Sequence, residues 1–119
     1  LFHHIKMIRW FFHAPSYKSE DNYQRYKWYI ENLENKIIVL PTGEVSLVQK
    51  GNPSGQISTT TDNNMVNTFL TAFEIAHFYK KKTGRVPSVE EYYANVDSIC
   101  YGDDRILAYN SSWVTYDSD

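Results

Sequence analysis

The sequence predicts an α+β fold in which helices pack on antiparallel hairpins, and three observations carry that prediction. Apolar residues recur at helical spacing in several stretches. Four short apolar runs read as strands, and each pair is joined by a tight turn that contains glycine. The elements come as helix, helix, hairpin, loop, helix, short helix, hairpin, an order that favours antiparallel pairing.

Each element has its own local warrant. Leu1, Ile5, Ile8 and Phe12 form the first helical stripe, and Pro15 closes it by excluding its predecessor from the α region. Ser19 is placed to cap a second helix, with Glu20 and Asp21 where the helix dipole favours acids. Tyr23, Tyr26, Ile30 and Leu33 continue that helix as an apolar stripe. Ile37-Ile38-Val39-Leu40 and Val45-Ser46-Leu47-Val48 flank Pro41-Thr42-Gly43-Glu44 as a hairpin.

Gly51-Asn52-Pro53-Ser54-Gly55 cannot continue regular structure and reads as a loop. Val66, Phe69, Leu70, Phe73 and Ala76 mark a longer helix ending near Lys80-Lys81-Lys82 and Gly84. Ser88 and Glu91 have capping-box spacing for a short helix through about Ala94. Runs from Val96 to Tyr101 and from Arg105 to Tyr109 bracket a second turn, and Trp113 to Tyr116 is strand-like.

Composition narrows the class. At 119 residues the chain fits one domain at most, and no apolar stretch is long enough to span a membrane. Its start lacks the basic, apolar and small-residue order of a signal peptide. A single cysteine, Cys100, excludes an internal disulfide, fits a reducing compartment and reads as a small buried side chain. A net charge of −2 has the wrong sign for a self-sufficient nucleic-acid module. It leaves room for a catalytic piece whose phosphate-binding surface lies elsewhere in a longer protein. The first residue is not methionine and the helical stripe is already running there, so the expectation is a partial domain, 1–119, cut from something larger.

Two motifs can carry chemistry. Tyr101-Gly102-Asp103-Asp104 sets two adjacent carboxylates on a turn. Two unit charges about 4 Å apart repel by roughly 4 kcal/mol at an effective dielectric near 20, so such a pair calls for protonation, a cation or a divalent metal. Magnesium suits carboxylates that share their ion with phosphate oxygens. Gly-Asp-Asp alone turns up by chance at the level of a few per cent in a chain this long, so it needs a companion.

That companion is the run from Gly51 to Asn64, a Ser-Gly loop feeding a helix start rich in hydroxyl and amide side chains. Gly55 allows close backbone approach, Ser54 and Thr59 supply hydroxyls, and Thr59 and Asn63 share one helix face. Two readings stay open for these residues by themselves: recognition of a sugar hydroxyl, and plain N-capping.

Taken together, the two motifs resemble motifs B and C of positive-strand RNA virus polymerases. The wording around them, Lys50 to Gln56 and Asp62 to Asn67, is most similar to the astrovirus RNA-dependent RNA polymerase. The resemblance covers essentially the whole chain and implies part of the polymerase palm. It implies catalytic and metal-binding roles for Asp103 and Asp104, with Mg²⁺ as the ion and Mn²⁺ as a substitute. It implies that Asn63 and Thr59 select ribose, and that Ser54 and Gly55 form a mobile loop under the template–nucleotide pair. Asn64 receives no role.

The implied partners are an RNA template and primer, ribonucleoside triphosphates and the rest of the polymerase polyprotein, in the host cytoplasm. The family's other metal-binding aspartate, in motif A, falls before Leu1, so the chain alone is expected to be inactive. Two rivals are a reverse-transcriptase-like palm and a non-catalytic metal- or RNA-interaction domain.

Lesser signals have plainer explanations. His3, His4, His13 and His77 lack zinc-site spacing. Lys80, Lys81, Lys82 and Arg85 suit a solvated helix end better than a phosphate site. Asn110-Ser111-Ser112 fits a glycosylation pattern by chance. Arg105 either pairs with a carboxylate or approaches a phosphate, and the sequence does not separate the two.

Overall fold

Local capping signals set the helix boundaries. In the computed structural model, which describes residues 1–116, Ser19 accepts the backbone N–H of Asn22 and opens helix α2, Glu20–Glu34. Ser88 and Glu91 form a complete capping box at the start of helix α4, Val89–Asn95. Helix α1 covers Phe2–Phe11, and Pro15–Tyr17 forms a single 3₁₀ turn after it. Helix α3 runs over Thr59–Thr83, so it already includes the polar segment after the loop.

The strands form two separate antiparallel hairpins. Strands β1, Lys36–Val39, and β2, Val45–Val48, pair Ile37 with Leu47 and Val39 with Val45. Leu40 and Glu44 close their turn, with Gly43 at φ +85°. Strands β3, Val96–Tyr101, and β4, Asp104–Tyr109, pair from Val96 opposite Tyr109 to Tyr101 opposite Asp104.

The chain divides into two compact units, Leu1–Asp62 and Asn63–Asp119. In the first, Ile5, Trp10 and Ile30 are buried, and Trp10 lies among the rings of His13, Tyr17, Tyr23 and Tyr26. Two charged side chains are buried with them, Lys6 and Asp62. Ile37, Val39, Val45 and Leu47 of the first hairpin stay exposed.

The second unit has a core of Ile75, Tyr79, Val96 and Val114, flanked by Phe78, Tyr92, Leu107, Trp113 and Tyr116. Residues Trp113 to Tyr116 are not a strand. Asn110 Oδ1 accepts the backbone N–H of Ser112 and its carbonyl accepts from Trp113 and Val114, which turns the chain inward. That turn buries Val114 completely and packs Trp113 against Tyr79, with 4.6 Å between the tilted ring centres. Asn110 is thereby a turn residue. Cys100 is half-buried where full burial is expected, because its strand faces the polar side of α3: Sγ donates to the carbonyl of Asn64.

Candidate functional site

The loop after β2 is built on a proline and a glycine. Pro53 and Gln56 carbonyls accept the turn N–H groups of Gln56 and Thr59, and Gly55 adopts φ +89°. A side chain at that φ costs about 1–2 kcal/mol, so glycine is the natural occupant. Ser54 and Gly55 are exposed at the tip. Thr59, the first residue of α3, is half-buried, and its hydroxyl lies 2.6 Å from the Pro53 carbonyl and 2.9 Å from that of Gln56. The single hydroxyl hydrogen of Thr59 is thus spent inside the loop, and what remains for any ligand is its acceptor lone pairs. Asn63 follows one helical turn later and belongs to the second unit.

The second unit holds the paired aspartates. Gly102 and Asp103 form a two-residue turn, with positive φ, +65°, at Gly102 and at no non-glycine residue described. Positive φ at the first position alone is the pattern of a type II′ hairpin turn, whose twist matches the flanking strands. Asp103 and Asp104 are both exposed. An open cavity of about 370 Å³ brings Asp103 and Gly102 together with Asn63, Val66, Asn67 and Glu74. Asp103 lines this cavity, and Asp104 is outside its lining.

Helix α3 grips the turn through two asparagines. Asn64 Oδ1 accepts the backbone N–H of Gly102 at 2.7 Å. Asn67 Nδ2 lies 3.4 Å from the carbonyls of both Gly102 and Asp104. Residue type alone marks neither contact, although the i, i+3 spacing of Asn64 and Asn67, continued by Thr71, describes one polar helix stripe opposite an apolar one.

Arg105 settles on carboxylate pairing. Its guanidinium donates to Glu74 at 3.0 Å and to Thr71 at 2.8 Å, and Tyr116 adds a hydrogen bond to the same Glu74 carboxylate. Burial alone would lower the pKa of Arg105, and the Glu74 carboxylate outweighs it, so the guanidinium stays charged. Arg85 pairs with Glu91, and Lys82 donates to the carbonyls of Ser112 and Trp113, so part of the basic cluster has structural partners.

Comparison with known proteins gives these two motifs a family. A sequence model described as viral RNA-dependent RNA polymerase matches residues 3–116. Non-structural polyprotein 1AB of Turkey astrovirus 1 is 50% identical over 119 residues, 99% of this chain and 7% of that protein. The same polyprotein of Avian nephritis virus 1 is 50% identical over 118 residues, 98% of this chain and 8% of that protein. That of Human astrovirus-5 is 43% identical over 110 residues, 89% of this chain and 7% of that protein. The chain therefore spans less than a tenth of the length of these relatives. No solved structure matches it. Because the family match runs unbroken through the Ser54–Gly55 loop, α3 and the Gly102–Asp103 turn, the chain belongs to the viral RNA-dependent RNA polymerase family.

Proposed function

We propose that the protein carrying this chain is an RNA-directed RNA polymerase that replicates and transcribes a viral genome, and that residues 1–119 are part of its palm. The observation that carries this reading is the placement of Asp103 on a glycine turn in one cavity with Asn63. The site-level roles follow. Asp103 and Asp104 would hold a divalent metal, since their exposed carboxylates offer the hard oxygen donors that Mg²⁺ or Mn²⁺ takes. A metal held there would supply a lowered pKa at the attacking hydroxyl and charge neutralisation at the leaving group.

The chain's own residues orient the reactants of an in-line displacement, in which a primer 3′-hydroxyl attacks the α-phosphorus of a ribonucleotide and expels pyrophosphate. Gly102 lets the backbone turn so that Asp103 projects at the tip. Asn63 hydrogen-bonds the ribose 2′-hydroxyl, which both donates and accepts. Thr59 supports that selection by closing the loop, and Ser54 and Gly55 fit the template–nucleotide pair. The partners are RNA template and primer, ribonucleoside triphosphates and the remainder of the polyprotein, in a cytoplasmic replication complex.

Two carboxylates make an incomplete two-metal site. Among the described residues no group of three or more His, Cys, Asp or Glu side chains converges. In this reading a further carboxylate elsewhere in the protein completes the set, and the purified 119-residue chain is expected to incorporate no nucleotide by itself. The test is Asp103→Asn in the full-length protein, assayed for template-dependent incorporation. A loss on the order of 10³-fold, about 4 kcal/mol of transition-state stabilisation, is expected. Unchanged RNA synthesis leaves Asp103 a structural role and favours a non-catalytic domain. An Asn63→Ala enzyme with intact preference for ribonucleotides removes the argument against a reverse-transcriptase-like palm.

A further inference from the structure

Asp62 is fully buried, and so is Lys6, whose ammonium lies 2.6 Å from Asp62 Oδ2. Arg9 reaches Asp62 Oδ1 at 2.6 Å from a more exposed position. Burial alone would raise the pKa of the Asp62 carboxyl, but hydrogen bonds from Lys6, Arg9 and Gln56 outweigh it and hold it below the usual range. Replacing a buried ion pair by apolar residues of similar volume is often neutral or stabilising, so stability is a weak reason for charge here. What charge supplies is a set of directional hydrogen bonds.

Those bonds lead to the loop. Gln56, one residue after Gly55, donates from Nε2 to Asp62 Oδ2 at 2.6 Å and to Asn52 Oδ1 at 3.2 Å. Its other amide atom, Oε1, accepts from Tyr29 at 2.9 Å and from the backbone N–H of Ser58 at 3.0 Å. Ser58 accepts from Lys6 at 2.9 Å and sits 3.0 Å from Asp62 Oδ2. With Thr59 holding the Pro53 carbonyl, both stems of the loop are tethered while Ser54 and Gly55 stay exposed between them. A Cβ added at Gly55 would meet nothing within 4 Å. The loop therefore has fixed stems and an unobstructed tip.

We propose that Asp62, held by Lys6 and Arg9, is a positioning residue: through Gln56 and Ser58 it fixes the pivot on which the Ser54–Gly55 tip meets the nucleotide. This rests on the reading of that loop as nucleotide-handling. Asp62 touches no reactant, so its effect falls on selection. A misplacement of about 1 Å in a positioning group can cost on the order of 10²-fold, which makes the effect measurable.

The experiment uses the full-length polymerase and compares kcat/KM for a ribonucleoside triphosphate with that for its 2′-deoxy analogue. Two variants separate anchoring from folding. Gln56→Met cuts the loop from the cluster and leaves the Lys6–Asp62–Arg9 pairs in place. The double change Lys6→Met with Asp62→Leu replaces the buried pair by apolar groups of similar size. Both are expected to raise KM and reduce ribose preference by about tenfold or more, with kcat reduced less.

A thermal melt accompanies each variant, and if the double variant does not fold, Gln56→Met alone decides. Ribose preference within about twofold of wild type in a folded Gln56→Met enzyme overturns the proposal. Asn63→Ala runs as the control. If it relaxes preference while the anchor variants do not, only the anchoring inference fails. If Asn63→Ala changes nothing, the nucleotide-handling reading of the segment fails and the anchoring inference goes with it.

Discussion

Asn64 Oδ1 accepts the backbone N–H of Gly102 at 2.7 Å, so α3 holds the hairpin at the residue that allows it to turn. Removing the acceptor leaves a half-buried N–H unsatisfied, a loss of about 1–2 kcal/mol. In Asn64→Ala, amide exchange at Gly102 is expected to accelerate by about tenfold. In the full-length enzyme kcat should fall while KM for nucleotide holds, because the turn presents Asp103. Exchange at Gly102 unchanged from wild type would show that Asn64 does not hold the turn.

Gly102 itself is required by conformation, not by crowding. Its φ is +65°, and a Cβ there would meet nothing within 4 Å. Gly102→Ala is therefore expected to cost about 1–2 kcal/mol from the left-handed backbone alone. Gly102→Asn should cost less, since asparagine tolerates that region, and Gly102→Val should cost most. Melting temperatures of the three variants give the ranking, and an alanine variant as stable as wild type contradicts it.

Ile75 is fully buried at the centre of the second unit's core, against Tyr79, Val96 and Val114. Truncation to alanine removes buried methyl groups and leaves a cavity, so Ile75→Ala should destabilise by about 2–5 kcal/mol. Urea unfolding of the chain measures this directly. A change under about 0.5 kcal/mol would place Ile75 outside a packed core.

Glu91 makes stability depend on acid. The Arg85 guanidinium, and then the backbone N–H of Ser88, pull the Glu91 carboxyl from 4.5 down to about 2. A carboxyl with a lowered folded pKa contributes stability above its unfolded value and loses it as pH falls through the folded one. The contribution of Glu91 is therefore complete above about pH 4.5 and disappears toward about pH 2. Between these values the melting temperature of the wild type should fall more steeply than that of Glu91→Gln. Both partners are solvent-accessible, so 1 M salt should narrow the difference. Parallel slopes for the two proteins would rule out this ion pair as the source.

Much of the fold is legible because its signals are local. Ser19 with Asn22, and Ser88 with Glu91, are capping pairs three residues apart, and the chain reads them as helix starts without distant help. Gly43 and Gly102 mark hairpin turns because few other residues adopt positive φ. The strand expected at Trp113 to Tyr116 fails for the converse reason. Its run of β-prone residues is only four long, and Asn110 supplies a turn that sends Val114 into the core.

The candidate site divides along the same line. The loop, the helix start and the acidic turn could be named from residue type and spacing, because Ser-Gly and Gly-Asp-Asp carry their backbone preference within them. Arg105 could not be assigned until Glu74 and Tyr116, far away in sequence, were seen to meet it. Asn64 and Asn67 carry no local signal of a role, and only the approach of β3 and β4 makes them a clasp on Gly102.

By itself, then, the sequence determined the element order, the turn that displays Asp103 and the family to which the chain belongs. Tertiary structure decided which polar groups lie inside, pairing Asp62 with Lys6 and Arg9 and joining both to Gln56. The reason is physical. Capping and turn preferences act within a few bonds of backbone, whereas a buried charge is tolerated only where distant partners arrive to satisfy it.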